Sequence, residues 1–163
     1  MASGVQRILG VDPGIERLGW GFIEKTPGGI KRLDSGVKRT LKTKKESERL
    51  FEIYEFLDDL IKKGKPETLS TEKLFFAKNV KTALIIGEVR GLILALSAKH
   101  SLTLKEFAPL EVKMAVCGYG RAEKSSVASM VGLMLNLPQN KLLDDETDAL
   151  ALAIAASAIS RFP

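Results

Sequence analysis

The sequence predicts an α/β fold, a mixed five-stranded sheet flanked by helices, on three observations. Three strand-like runs follow one another near the start. Two further short strands are each preceded by a helical segment. Elsewhere apolar residues recur at three- and four-residue steps. Sequential strands joined by turns pair antiparallel, whereas strands joined through a helix pair parallel, so this order calls for a hairpin-built half and a crossover-built half.

Residues 8–14 (ILGVDPG) read as a buried apolar strand that delivers Asp12 to its carboxyl end, where Pro13-Gly14 turns the chain away. Leu18, Trp20 and Phe22 alternate with Gly19, Gly21 and Ile23 as a second strand, and Thr26-Pro27-Gly28-Gly29 makes a hairpin to a third strand at residues 30–37. Leu50, Ile53, Tyr54, Leu57, Leu60 and Ile61 mark an amphipathic helix ended by Gly64 and Pro66. A short and rather polar strand follows at residues 68–72. Residues 80–99 return to helical spacing through Leu84, Ile85, Val89, Leu92, Ile93 and Leu96. Residues 102–107 alternate as a strand, and Pro109 opens a short helix through Val116. After the Gly118-Tyr119-Gly120 loop, Val127, Met130, Val131, Met134 and Leu135 share a helix face. Pro138 interrupts that pattern, and a last helix runs from about residue 145 to 159.

The 163 residues fit one domain over 1–163, and 45% hydrophobic with 28% charged residues is the composition of an ordinary globular protein. The longest apolar runs are far short of a membrane span. A lone cysteine, Cys117, and the lack of a basic-then-apolar leader pattern suit a cytoplasmic protein. The net charge of +5 is a modest pointer to an anionic partner. Its distribution says more: residues 31–49 hold eight Lys/Arg (Lys31, Arg32, Lys38, Arg39, Lys42, Lys44, Lys45, Arg49) against three acids.

The acids concentrate elsewhere. Asp12 before Pro-Gly is also a common turn residue, and acids in a helix's first turn cap free N–H groups. Asp144-Asp145-Glu146-Thr147-Asp148, however, places four acids in five residues, more than capping requires. Asp145 and Asp148 lie three apart on one helical face and repel unless a cation sits between them. Glu72 ends the polar strand. Asp12, Glu72, Asp145 and Asp148 together would form an all-oxygen site suited to Mg²⁺ or Mn²⁺. Two such ions about 4 Å apart can activate water and stabilise the leaving oxygen in phosphodiester hydrolysis. No His/Cys set of zinc type competes, and the sole histidine, His100, reads as structural or surface.

Phe75-Phe76 sits in a segment whose adjacent side chains point opposite ways, so one ring can remain outside, beside Lys78 and Lys81, to stack on or wedge between bases. Core packing is the ordinary role for either ring. Lys113 near a helix end, and Arg121 and Lys124 around a glycine-containing loop and helix start, suit phosphate contact, although single lysines are usually solvated surface.

In this order these segments resemble the RuvC family of bacterial Holliday-junction resolvases: residues 8–14, 72–79 (EKLFFAKN), 87–91 (GEVRG), 108–116 (APLEVKMAV), 118–124 (GYGRAEK) and 145–154 (DETDALALAI). A bare DPG is weak; the combination is specific and spans nearly the whole chain. The resemblance implies an RNase H-like fold and a homodimer whose subunits each nick one of two opposed strands of a four-way junction with Mg²⁺. It places the catalytic acids on Asp12, Glu72, Asp145 and Asp148, the junction-engaging aromatic on Phe75, and the active-site and DNA-contacting lysines on Lys113 and Lys124. It implies a RuvA/RuvB-type branch-migration partner. Two departures stand out. The strand before Glu72 is more polar than the family's, which leaves its depth in the sheet open. The residue 38–45 run is unusually basic, either an extra DNA contact or a solvated loop. Rival readings are a YqgF-type nuclease acting on structured RNA, a junction-binding module without catalysis, and an actin-like nucleotide-binding domain, for whose two lobes the chain is short.

Overall fold

The computed structural model describes residues 4–74, 79–138 and 142–159. Its elements are β1 (Gln6–Asp12), β2 (Arg17–Thr26), β3 (Gly29–Arg39), α1 (Glu46–Gly64), β4 (Thr68–Glu72), α2 (Val80–Lys99), β5 (Thr103–Phe107), α3 (Pro109–Cys117), α4 (Lys124–Met134) and α5 (Asp144–Ile159). The strands form one sheet in the order β3-β2-β1-β4-β5. β3, β2 and β1 pair antiparallel, while β1, β4 and β5 pair parallel, which is the mixed architecture the element order predicts.

Strand periodicity divides the core in two. On β1, Leu9 and Val11 face a cluster built with Ile53, Leu57 and Ile61 of α1 and Val89, Ile93 and Leu96 of α2. Ile8 faces the opposite side, where α5 lies under α3 and α4. Asp12 shares the parity of Ile8 and Gly10 and therefore points to the α5 side. α5 is buried almost all round, from Ala149 to Ser157, so its face pattern is uniformly apolar rather than amphipathic. Lys25 Nζ donates to the Ser157 carbonyl (2.6 Å) and Lys105 Nζ to the Ala156 carbonyl (3.2 Å), placing cations at the negative end of that helix.

The polar strand is not shallow. Thr68, Ser70 and Thr71 of β4 are buried, and each hydroxyl finds a partner. Thr68 Oγ1 accepts from Gln6 Nε2, Ser70 Oγ donates to the Leu152 carbonyl of α5, and Thr71 Oγ1 donates to the Val11 carbonyl of β1. Buried hydroxyls cost little once bonded in this way. Small side chains are needed here because α5 packs directly on the strand.

α1 ends at Gly64, as expected, with the left-handed cap on Lys65 (φ 47°); two other boundaries differ. Gly64 is there because a Cβ would lie 2.3 Å from the Phe22 ring. β3 runs on to Arg39, because pairing with Arg17 extends the ladder, and β5 starts at Thr103. The basic run is neither a free loop nor a bare patch. Lys38 and Lys44 both pair with Glu52 of α1 (2.8 and 2.9 Å), and Lys42 pairs with Glu16 (3.2 Å).

His100 is structural, as the sequence suggests. Its Nε2 lies 2.6 Å from Asp58 Oδ1, and Lys62 and Lys99 converge on the same carboxylate at 2.6 and 3.0 Å. Lys62 first, then His100 and Lys99, hold the Asp58 carboxyl well below the usual carboxylate range. A depressed acid stabilises the fold above its unfolded pKa and loses that contribution as pH falls through the folded value. Asp58→Asn is therefore expected to melt lower than the parent at pH 7, with the two melting curves converging as pH drops below 4; an unchanged gap on acidification would contradict this.

Candidate active site

β1 and β4 are adjacent and parallel, in a register that runs from Ile8↔Thr68 to Val11↔Thr71. The next residues are Asp12 and Glu72, so neighbouring strands end side by side in two carboxylates. The ends of parallel strands are where α/β sheets build their sites. The third element is α5. A Cβ on Gly10 would lie 1.9 Å from the Ala149 carbonyl oxygen, and one on Gly19, the register partner of Asp12, would lie 1.9 Å from that of Asp145. The absence of those side chains lets the first turn of α5 rest on β1 and β2, which brings Asp148 beside the strand ends. Glycine within a strand marks such close backbone approach.

Asp12, Glu72 and Asp148 line one cleft of about 250 Å³ with Lys113, Lys124, Val112 and Leu152. α3 holds Lys113 on the rim. Pro109 starts this helix, and Glu111 accepts from the Ala108 N–H at 2.7 Å in its first turn. Lys124 is the first residue of α4, at the positive end of the helix, where a cation is disfavoured. Asp144 and Asp148 compensate, with oxygens 3.5 and 3.7 Å from Lys124 Nζ.

The electrostatics follow from this crowding. Burial first, and then the negative charges of Asp148, Glu72 and Asp145, push the Asp12 carboxyl up to about 7, with Lys124 opposing. Burial and Asp148 raise Glu72; burial raises Asp148 against the pull of Lys124. Asp148 in turn raises Lys124. Carboxylates that resist ionising together fit a hard divalent cation, which would relieve the repulsion through oxygen ligands. As they stand, no three His, Cys, Asp or Glu side chains among the described residues are gathered as a metal-holding group. The Lys124 ammonium supplies part of the positive charge the cleft calls for.

Asp145 behaves differently from the other three. It does not line the cleft; its Oδ2 lies 2.7 Å from Arg17 Nη2. Glu146 turns away as well. It is buried, accepts from Ser35 Oγ at 2.6 Å and caps the helix start through the Leu143 N–H at 3.4 Å. Of the predicted contacts to DNA, Lys113 and Lys124 face the cleft. Arg121 lines a separate depression with Cys117, Tyr119 and Glu123. Phe75 and Lys78 lie outside the described residues. Sequence reasoning missed Arg17 and the glycines beneath α5. The alternation of Gly10 with Asp12, facing an alanine-rich helix, was the available signal for the latter.

The family model described as crossover junction endodeoxyribonuclease RuvC matches residues 8–156. The protein named crossover junction endodeoxyribonuclease RuvC from Roseiflexus sp. (strain RS-1) is 43% identical over 148 residues, covering 91% of this chain and 88% of the relative. The one of that name from Alkaliphilus oremlandii (strain OhILAs) is 44% identical over 155 residues, covering 95% and 94%. Among solved structures, the Thermus thermophilus RuvC in complex with a Holliday junction substrate superposes with a TM-score of 0.85 at 25% identity, covering 93% of each chain. The yeast mitochondrial Holliday junction resolvase Ydc2, at 15% identity and a TM-score of 0.71, covering 94% of this chain and 78% of its own, shares the fold.

Proposed function

The chain belongs to the RuvC family, and from that premise we propose that it is a structure-selective endodeoxyribonuclease that resolves Holliday junctions in recombination and repair by nicking two opposed strands symmetrically. The observation that carries this reading is the cleft in which Asp12, Glu72 and Asp148, from β1, β4 and α5, face Lys113 and Lys124. Acids alone would repel a DNA backbone; lysines alone would bind it without cutting.

Asp12, Glu72, Asp145 and Asp148 are the residues that would hold Mg²⁺, two ions per site, with Mn²⁺ substituting. When bound, the metal lowers the pKa of a water and neutralises charge building on the scissile phosphate. Lys124, kept protonated by Asp148, steadies that phosphate at its non-bridging oxygens. Lys113 fixes the neighbouring backbone, and Val112 and Leu152 form the apolar part of the cleft wall. Arg121 and Lys78 extend the backbone contact, and Phe75 opens the junction centre. Such contacts make binding fall steeply with salt.

Residues 1–163 act as one nuclease domain, and the active form is a homodimer, because a near-symmetric junction cut on two strands calls for two sites related by a two-fold axis. Exposed Val80 and Leu84 on α2 offer an apolar face for it. A branch-migration complex of the RuvA/RuvB type delivers the substrate. Among the described residues no helix is long and apolar enough to cross a membrane, and we place the protein in the cytoplasm.

The test is incubation with a synthetic mobile four-way junction, beside a structured RNA and a lane without divalent metal. Paired symmetric nicks that require Mg²⁺ are expected. Equal cleavage of the RNA would favour the YqgF-type reading, and junction binding without any cut would leave a binding module.

A further inference from the structure

The strand ends beside the cleft carry two arginines that the proposed chemistry does not use. Arg17 opens β2, Arg39 closes β3, and the two are register partners on neighbouring antiparallel strands. Like charges facing one another across a strand pair are destabilising unless an anion joins them. Arg17 shares the parity of Gly19 and Gly21, so both arginine side chains leave the sheet on the α5 side. Both residues are exposed, and Arg39 has no side-chain partner among the described residues.

Arg17 has found an anion in Asp145, at 2.7 Å. That contact is poorly made. Asp145 Oδ2 is shut off from solvent, yet it receives no directed hydrogen bond, so only proximity of charge compensates it. The backbone of Asp145 is fixed, its carbonyl seated over Gly19. Only the side chain has freedom to turn, and in this arrangement it lies outside the cleft that Asp148, one turn further on, lines.

We propose that Arg17 is a positioning residue for Asp145, and that a DNA phosphate received between Arg17 and Arg39 releases that carboxylate to the cleft. A guanidinium fork pairs readily with phosphate, and the Arg39 charge beside it favours the incoming anion over a single carboxylate oxygen held without a directed bond. DNA arrival then completes the acid set, and by linkage DNA and metal each raise affinity for the other. The proposal rests on the nuclease reading of the cleft.

Calorimetric titration of Mg²⁺ into the full chain, alone and with a plain DNA duplex, tests it. For the parent, duplex is expected to raise Mg²⁺ affinity about five- to tenfold, a typical coupling between sites. Arg17→Gln is expected to show the raised affinity without DNA and no further response to duplex, while Arg17→Lys, which keeps the charge, returns to the weaker DNA-free value. Arg39→Gln is expected to keep the parental DNA-free affinity and to lose most of the response; as an exposed position it carries the test should Arg17→Gln fold poorly. An Arg17→Gln protein that binds Mg²⁺ no more tightly than the parent, or an Arg39→Gln protein with the full duplex response, would overturn the proposal. Asp12→Asn separates the two levels. Loss of Mg²⁺ binding there preserves the cleft assignment whatever Arg17 does, and retention of it would sink both.

Discussion

Asp12→Asn lowers junction cleavage by about 10³-fold or more, the scale of removing a group that acts on transition-state charge, and at the same time stabilises the metal-free protein. The first effect follows from the position of Asp12 at the centre of the cleft, where its charge is coupled to Asp148, Glu72 and Asp145. The second follows from the same crowding. The Asp12 carboxyl is pushed from 3.8 up to about 7 by burial and by its acidic neighbours, so the folded chain holds a proton that the unfolded chain releases. Stability is complete below pH 4 and is lost as pH rises through 7. A shift of that size corresponds to about 2–4 kcal/mol above pH 8 once partial solvent access is allowed for. Asparagine removes the charge and the cost. Melting temperatures taken without metal are expected to agree at pH 4 and to differ by about 5–10 °C in favour of Asp12→Asn at pH 8. Adding Mg²⁺ raises the parent and leaves the variant where it was. At limiting Mg²⁺, cleavage by the parent is expected to fall as pH drops, because the metal must displace the proton that Asp12 holds in the metal-free cleft. A variant that melts below the parent at pH 8 would refute the electrostatic account, and one that cuts at the parental rate would refute the catalytic one.

Gly10→Ala destabilises the fold by about 3 kcal/mol or more, the upper range for overpacking against backbone, and abolishes cleavage without touching a charged group. A Cβ there would meet the Ala149 carbonyl oxygen at 1.9 Å and the Ala153 nitrogen at 2.9 Å. Neither atom belongs to a flexible side chain, so α5 itself must lift from β1. Lifting it carries Asp148 away from Asp12 and Glu72 and breaks the bond from Ser70 Oγ to the Leu152 carbonyl. Urea unfolding gives the stability loss, and the junction assay on whatever folded fraction remains gives the activity. Near-parental values for both would mean that α5 has more clearance than its seat on Gly10 implies.

The elements were legible because each carries a local signal. β1 ends at Pro-Gly, α1 repeats at helical spacing, and the crossovers sit where helices separate short strands. The acidic residues were legible as candidates because four acids in five residues exceed what a helix start needs, although of that run only Asp148 lines the cleft. Local signals failed where the reason for a residue lies on another element. Gly64 does end its helix, but its second reason, room for the Phe22 ring, has no local signature. The hydroxyls of β4 left the depth of that strand open in the sequence; they are satisfied by α5 and β1 within the sheet. Glu146 belongs to the same acidic run as Asp145, and nothing within five residues reveals that Ser35 and Arg32 of β3 claim it.

The chain's own pattern determined the strand and helix order and the parallel and antiparallel halves, and it supplied the candidate acids. These are set by period, turn chemistry and residue type, all short-range properties. Packing alone decided which carboxylates meet. Strand register set Asp12 next to Glu72, and missing Cβ atoms let α5 settle low enough to add Asp148. The arginine that opens β2 pairs with Asp145 outside the cleft. Contacts between residues more than a hundred positions apart leave no trace in local periodicity, because their energy exists only once the sheet and the helix are in place.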